Sequence, residues 1–258
     1  MKKITNLFIL FTVLLLVLSA LLSITALAED NTPKSWYYKK NGGSCPKFPS
    51  DSDFVTEADG YFVGNENEKV IYLTFDAGYE NGNIEKILDI LKDENVPAAF
   101  FILKNLVLKN PELIKRMANE GHLVCNHTKN HKDMTTLTEE EMKLNLKFLE
   151  DLCMEKCSVK MAKYFRFPEG RYSRQTILTA KEAGFKTIFW SLSHADWDSE
   201  NQPNPEASIK HLLENTHPGA ILLFHPTSQT NVLILPTLIK EWRSMGYRFG
   251  TLDELTGE

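Results

Sequence analysis

The sequence predicts an α/β fold: a distorted (β/α) barrel with about seven strands. Two observations carry that expectation. Short apolar runs bounded by polar turn residues recur from Val70 to Gly250. Between them lie amphipathic stretches, several of which open on helix-start signals. Strand-helix alternation implies a parallel sheet, and about seven such units in one domain favour a closed or nearly closed barrel over an open doubly wound sheet. No Gly-x-Gly-x-x-Gly element follows a strand, so a dinucleotide site has no support.

The expected strands are Val70–Phe75, Ala98–Leu103, His122–Cys125, Tyr164–Phe167, Thr187–Ser191, Ala220–Phe224 and Tyr247–Gly250. Helices are expected at Ile84–Leu91 and Leu233–Trp242 by periodicity. Others follow Asn110–Pro111–Glu112 and Asn204–Pro205–Glu206, where a capping side chain precedes proline at the first helical position. Thr138–Glu139–Glu140–Glu141 has the form of a capping box.

Three regions are expected along the chain. Residues 1–28 carry Lys2 and Lys3, the apolar run Leu7–Leu22 and the small residues Ala26 and Ala28. That pattern fits a cleaved signal peptide, and the run is also nearly long enough for a retained membrane anchor. Either way, the remainder of the chain is expected outside the cytoplasmic membrane: secreted, anchored, or on the cell-wall side. Residues 29–67 read as a polar linker or arm, packed on the domain through Trp36, Tyr37 and Tyr38. Residues 68–258 form the main domain. A net charge of -5 without a basic run argues against nucleic acid. Cys125 reads as a small core residue beside His127. Cys45, Cys153 and Cys157 have no evident pairing.

The chemistry-bearing residues fall just after the expected strands. Asp76 follows the first, His127 the third and His225 the sixth. Arg166 ends the fourth, and Asp196–Trp197 follow the fifth. In a β/α barrel these positions meet on the rim at the strands' C-terminal ends, where active sites form. His127 and His131 would share one helical turn if the chain turned helical there, a spacing at which two imidazoles can share a metal. Taken singly, each residue has an ordinary reading as a cap, a turn or a surface charge. Their joint placement points to metal-assisted hydrolysis.

Five segments in order then resemble the motifs of the polysaccharide deacetylase family, also called the NodB-homology or carbohydrate esterase family four. They are Thr74–Phe75–Asp76–Ala77–Gly78, His127-x3-His131, Arg166–Phe167–Pro168–Glu169–Gly170, Asp196–Trp197 and Leu223–Phe224–His225. The resemblance covers about Val70 to Leu255. A finer resemblance is to the muramic-acid de-N-acetylases of spore-forming bacteria, which make muramic δ-lactam in the spore cortex. It lies in Tyr72–Asp76 with Gly78–Gly82, Gly121–His122, Asn126–His127 and Phe189–Ser191.

The resemblance implies hydrolysis of a sugar N-acetyl amide in peptidoglycan by a monomer, with Asp76 as general base and His225 as the acid for the leaving amine. Arg166 would pair with the base, and Asp196 would fix the His225 tautomer or brace Arg166. Trp197 and Leu223 would line the acetyl pocket, and the backbone N–H near Glu169 would stabilise the oxyanion. A divalent metal, zinc first among candidates, would rest on His127 and His131. Ala77 departs from the family, which places a metal-ligating aspartate there. Weak metal binding completed by water or substrate, recruitment of Asp76 to the metal, and a metal-free reaction are the three consequences open at this point. A catalytically silent wall-glycan-binding protein, or a deacetylase of a chitin-like polymer, are the alternative functions.

Overall fold

The computed structural model describes residues 30–258, so the segment expected to direct export lies outside the described residues. In chain order the strands are β1 Lys34–Ser35, β2 Lys39–Asn41, β3 Ser44–Lys47, β4 Gly60–Tyr61, β5 Val70–Ala77, β6 Ala98–Ile102, β7 Leu123–Asn126, β8 Tyr164–Phe165, β9 Arg171–Tyr172, β10 Lys186–Ile188, β11 Leu192–Ser193, β12 Ala220–Phe224 and β13 Arg248–Phe249. The helices are α1 Ser52–Glu57, α2 Ile84–Asp93, α3 Lys104–Lys109, α4 Pro111–Asn119, α5 Glu139–Cys157, α6 Arg174–Glu182, α7 Pro205–Glu214, α8 Gln229–Ser244 and α9 Leu252–Thr256.

The central sheet has the order β11-β12-β5-β6-β7-β8-β10-β4, with β13 joined to β5. All its strand pairings are parallel. The segment from Lys186 to Ser193 pairs with β8 at its start and with β12 at its end. Between these, Ser191 N–H reaches Ile221 O at 3.0 Å. One kinked stretch thus carries the curled sheet back onto its first strands, which is the distorted barrel the alternation predicts.

The strands are shorter than expected where side chains leave the sheet to build the rim. Tyr164–Phe167 pairs only over Tyr164–Phe165, because Phe167–Pro168 turns away. Helix starts follow the expected chemistry. Thr138 and Glu141 form the reciprocal capping box, and Asn204 Oδ1 accepts the Ala207 N–H at 2.9 Å. Asn110 precedes Pro111 without a side-chain cap.

Alternation along β5 divides the core. Ile71, Leu73, Phe75 and Ala77 pack outward against the helices, while Val70 and Tyr72 pack inside the curled sheet with Phe101, Cys125 and Ile188. Phe100 and Phe101 are both core aromatics, as are Phe185 and Phe189. All four cysteines are free; Cys125, Cys153 and Cys157 are buried.

Residues before β5 fold onto the barrel. β4 extends the sheet beside β10. Trp36 is buried against Phe189, with ring centroids 4.4 Å apart, and Phe48 and Phe62 pack around it. Tyr37, in contrast, is exposed. Replacing a buried tryptophan by alanine typically costs about 3–5 kcal/mol. Trp36→Ala should therefore lower urea-unfolding stability on that scale. A shift below about 0.5 kcal/mol, the usual size for a surface site, would mean that this segment is only a tether.

Candidate active site

Each site residue is placed by the backbone ladder. Asp76 is the penultimate residue of β5, and Thr74, two before it, bonds through its hydroxyl to Leu222 O of the neighbouring strand. His127 and Arg166 sit one residue beyond β7 and β8. Their N–H groups continue the ladder, His127 to Ile102 O and Arg166 to Asn126 O, each at 3.1 Å. His225 follows β12 directly. Asp196 lies in the loop after β11. All therefore gather at the C-terminal ends of parallel strands.

A cleft of about 660 Å3 opens there. Asp76, His127, His131, Glu169, Trp197, Leu223 and His225 line it, together with Tyr79, Trp190 and Thr227. Arg166 and Asp196 are buried beneath it rather than lining it. Trp197 is exposed on the rim, and Leu223 is buried in the wall.

Arg166 is completely buried, and each of its three guanidinium nitrogens donates a hydrogen bond. Its Nη1 donates to Asp76 Oδ1 at 2.8 Å, its Nε to Ile188 O at 3.0 Å and its Nη2 to Phe189 O at 3.3 Å. The guanidinium also lies 4.2 Å from the centre of the Phe101 ring. Burial pushes the Asp76 carboxyl upward, but His127, Arg166 and His225 together outweigh it and hold the carboxyl below its usual range. Asp76 is thus an ionised base facing the cleft.

His127 is buried, and its Nδ1 lies 2.9 Å from Arg166 O, so Nδ1 carries the proton and donates it. Its Nε2 lies 3.5 Å from Asp76 Oδ2. Burial, opposed by Asp76 and assisted by His131, pushes this imidazole down to about 4, so it is neutral near pH 7. The His131 ring stands edge-on to it, with centroids 5.0 Å apart.

The His127–His131 segment is not the helical turn that would have explained their spacing. Asn126 Oδ1 accepts the Thr128 N–H, Thr128 Oγ1 accepts the His131 N–H, and Asn145 Oδ1 accepts the Lys129 N–H, each at 2.9 Å. Thr128 and His131 adopt φ of 79° and 59°. The buried Asn126 side chain therefore competes successfully with helix formation, as short amides do in turns.

His225 is held differently. Its Nδ1 lies 2.8 Å from Asp196 Oδ1, and its backbone N–H donates to Asp196 Oδ2 at 2.7 Å. Burial lowers the imidazole, but the bond to Asp196 and the charges of Asp196 and Asp76 raise it above its ordinary value overall. With Nδ1–H on Asp196, Nε2 is the ring nitrogen left for a ligand. The arrangement can take a proton at Asp76 and deliver one from His225 across the same cleft.

Several site residues are not legible as motifs. Asn231 Nδ2 donates to Asp196 Oδ2 at 2.6 Å and to His225 O at 2.9 Å. His194 Nε2 lies 2.8 Å from Asn231 Oδ1, which makes His194 part of this support as well as of the cleft wall. Glu80 does not reach for a ligand; its carboxylate receives the Gly82 and Ile84 N–H groups at the start of α2. Gly170 has φ of 63°, and a Cβ there would come 2.8 Å from Trp190 and 3.1 Å from Trp36. Only glycine fits where the cleft wall meets the N-terminal segment.

The metal expectation meets a partial donor set. Among the described residues no group of three His, Cys, Asp or Glu side chains is placed to hold one ion. Ala77 is fully buried and continues the outward-facing row of β5 in the apolar layer. His127 and His131 supply two imidazoles, one fewer than the three protein ligands usual at a catalytic zinc. The residues present do not complete such a site.

Known proteins share this architecture. A family model described as polysaccharide deacetylase matches residues 63–188. The peptidoglycan-N-acetylmuramic acid deacetylase PdaA of Bacillus subtilis (strain 168) is 35% identical over 233 residues, covering 90% of this chain and 89% of that protein. The solved structure of PdaA, a family 4 carbohydrate esterase, aligns with a TM-score of 0.85 over 88% of this chain and 97% of that one. A peptidoglycan-N-acetylglucosamine deacetylase of Bacillus cereus is 35% identical over 197 residues, 73% of this chain and 89% of that protein. A family 4 carbohydrate esterase pseudoenzyme from Bacillus anthracis aligns at 28% identity and a TM-score of 0.69, over 76% of this chain and 68% of that one.

The site geometry sets a titration result. In wild type the His225 imidazole should titrate above the ordinary histidine value, and His127 should stay neutral down to about pH 4. Asp196→Asn removes the charge that raises His225 while burial persists, so NMR should show its protonation moving to lower pH. An unchanged His225 titration would mean that Asp196 does not set its proton affinity.

Proposed function

We propose a function from one premise: the chain belongs to the polysaccharide deacetylase family, hydrolases of amide bonds. The reading is an exported N-deacetylase of peptidoglycan, acting on the N-acetyl group of muramic acid, as in spore-cortex δ-lactam formation. One observation carries it above the others. An ionised carboxylate, Asp76, and an imidazole whose proton affinity Asp196 raises, His225, line the same cleft.

The reaction follows from that division. Asp76 removes a proton from a water as the oxygen attacks the acetyl carbonyl carbon. The carbonyl oxygen gains the negative charge; by family resemblance the N–H near Glu169 faces it. The C–N bond then breaks as His225 Nε2 gives a proton to the nitrogen, because an amide anion is too basic to leave. Acetate and a free sugar amine result. Arg166 keeps Asp76 ionised, Asp196 orients His225, and Trp197 and Leu223 offer the apolar surface for the acetyl methyl.

His127 and His131 are the donors a divalent ion such as zinc would use. Two imidazoles alone would hold such an ion weakly, and no proton transfer above runs through it. Muramic acid is favoured over glucosamine because the similarity to PdaA extends over 90% of this chain, against 73% for the glucosamine deacetylase. Lys2, Lys3 and the apolar run Leu7–Leu22 support export.

Ala77 favours a second reading, a catalytically silent glycan-binding protein. Acetate release from peptide-free glycan strands, with product analysis for deacetylated muramic acid, separates the two. Wild type should release acetate, and Asp76→Asn should lose about 10²–10⁴ of the rate, the range general-base catalysis supplies. Equal release by both ends the assignment of the base. Strand binding with no release at any added divalent metal concentration establishes the silent form.

A further inference from the structure

A second depression, about 380 Å3, adjoins the cleft and shares Ser193, His194 and Trp197 with it. Its outer wall comes from the N-terminal segment through Tyr38 and Lys40, and its far wall from α7 through His211. No aspartate or glutamate lines it, in a chain whose net charge is -5. Lys40 has no carboxylate within 4.0 Å among the described residues, and its Nζ lies 3.5 Å from His211 Nδ1. The His211 Nε2 in turn lies 3.2 Å from Ser193 O, so Nε2 carries the proton and Nδ1 offers its lone pair to the ammonium.

These contacts fix the depression's shape. Tyr38 Oη accepts the Ser193 N–H at 2.9 Å and lies 3.2 Å from Ser193 O, which ties the N-terminal segment to β11 at the junction of the two hollows. Trp197 is 67% exposed at the same junction, an indole face open to a sugar ring spanning both. The result is an ammonium steadied by an imidazole, without an acid of its own, at the end of an aromatic-edged groove that leads to Asp76.

We propose that this depression is an accessory glycan subsite in which Lys40 binds a carboxylate carried by a muramic residue of the strand, either the one in the cleft or the next one along. The inference rests on the reading of the protein as a peptidoglycan deacetylase. A peptidoglycan strand has two sources of such a carboxylate: the lactyl group of a peptide-free muramic residue and the acids of the stem peptide. A neutral chitin-like chain has neither, so the subsite selects for muramic-containing strands.

The test measures binding and acetate release by the full chain on three glycans: peptide-free strands, strands with intact peptides, and peptide-free strands whose carboxylates have been reduced to alcohols. Lys40→Gln should weaken binding to a carboxylate-bearing strand about fivefold, the upper end for an exposed ion pair. Lys40→Arg should keep most of it, and binding to the reduced strands should not respond to either change. KM should rise with kcat held, since Lys40 lies away from the reacting atoms. Loss confined to peptide-free strands assigns the lactyl group, and loss confined to intact strands assigns the peptide. Unchanged binding to both carboxylate-bearing strands, or an equal loss on the reduced strands, overturns the subsite. If no glycan yields acetate yet Lys40→Gln still weakens carboxylate-dependent binding, the subsite stands and the deacetylase reading falls.

Discussion

The buried pair between Asp76 and Arg166 is the constraint on which the site depends. A guanidinium withdrawn from water is costly unless its charge and its N–H groups are met. Here Asp76 meets the charge, Ile188 O and Phe189 O accept from the other two guanidinium nitrogens, and Phe101 offers its ring face. These partners come from three separate parts of the sheet: the end of β5, the end of β6 and the stretch that closes β10. Satisfying one side chain thus fixes how those strand ends meet. Removing Asp76 or Arg166 leaves the other buried and uncompensated, so the pair links folding to function more tightly than a surface ion pair would.

From that pair comes the distribution of protons around the cleft. The Arg166 carbonyl accepts the His127 Nδ1 proton, so the same residue that keeps the base ionised also sets the neighbouring imidazole's tautomer. Burial keeps His127 neutral near pH 7, while Asp196 raises the proton affinity of His225. The two imidazoles over one opening therefore differ because burial prevails at His127, whereas the Asp196 carboxylate outweighs it at His225. Asn231 and His194 complete the support by occupying Asp196 and each other.

Much of this was readable in the sequence, and the reason is geometric. Parallel strands deliver their next residue to a common rim, so Asp76, His127, Arg166 and His225 could be brought together from strand positions alone. The resemblance to known motifs then supplied roles. Features beyond reach depended on contacts distant in sequence. The helical turn expected for His127 and His131 is replaced by a turn that Asn126 and Asn145 hold. Asn231, in the first turn of α8, looks like any helical polar residue until Asp196 is seen beside it. The segment ahead of Glu68 reads as a polar arm because its apolar content is sparse. Trp36 and Tyr38 nevertheless bond to Gly170, Trp190 and Ser193, backbone that forms the cleft wall.

The most direct test of this proton arrangement is the pH dependence of kcat/KM for acetate release from peptide-free strands. A depressed Asp76 must be ionised, so activity should fall only as pH drops below the usual carboxylate range. A raised His225 must be protonated, so activity should fall again only above the ordinary histidine value. The account predicts a broad bell between those limits. A single limb that rises through neutral pH without an alkaline fall would contradict it, because neither Asp76 as base nor His225 as acid would then govern the rate.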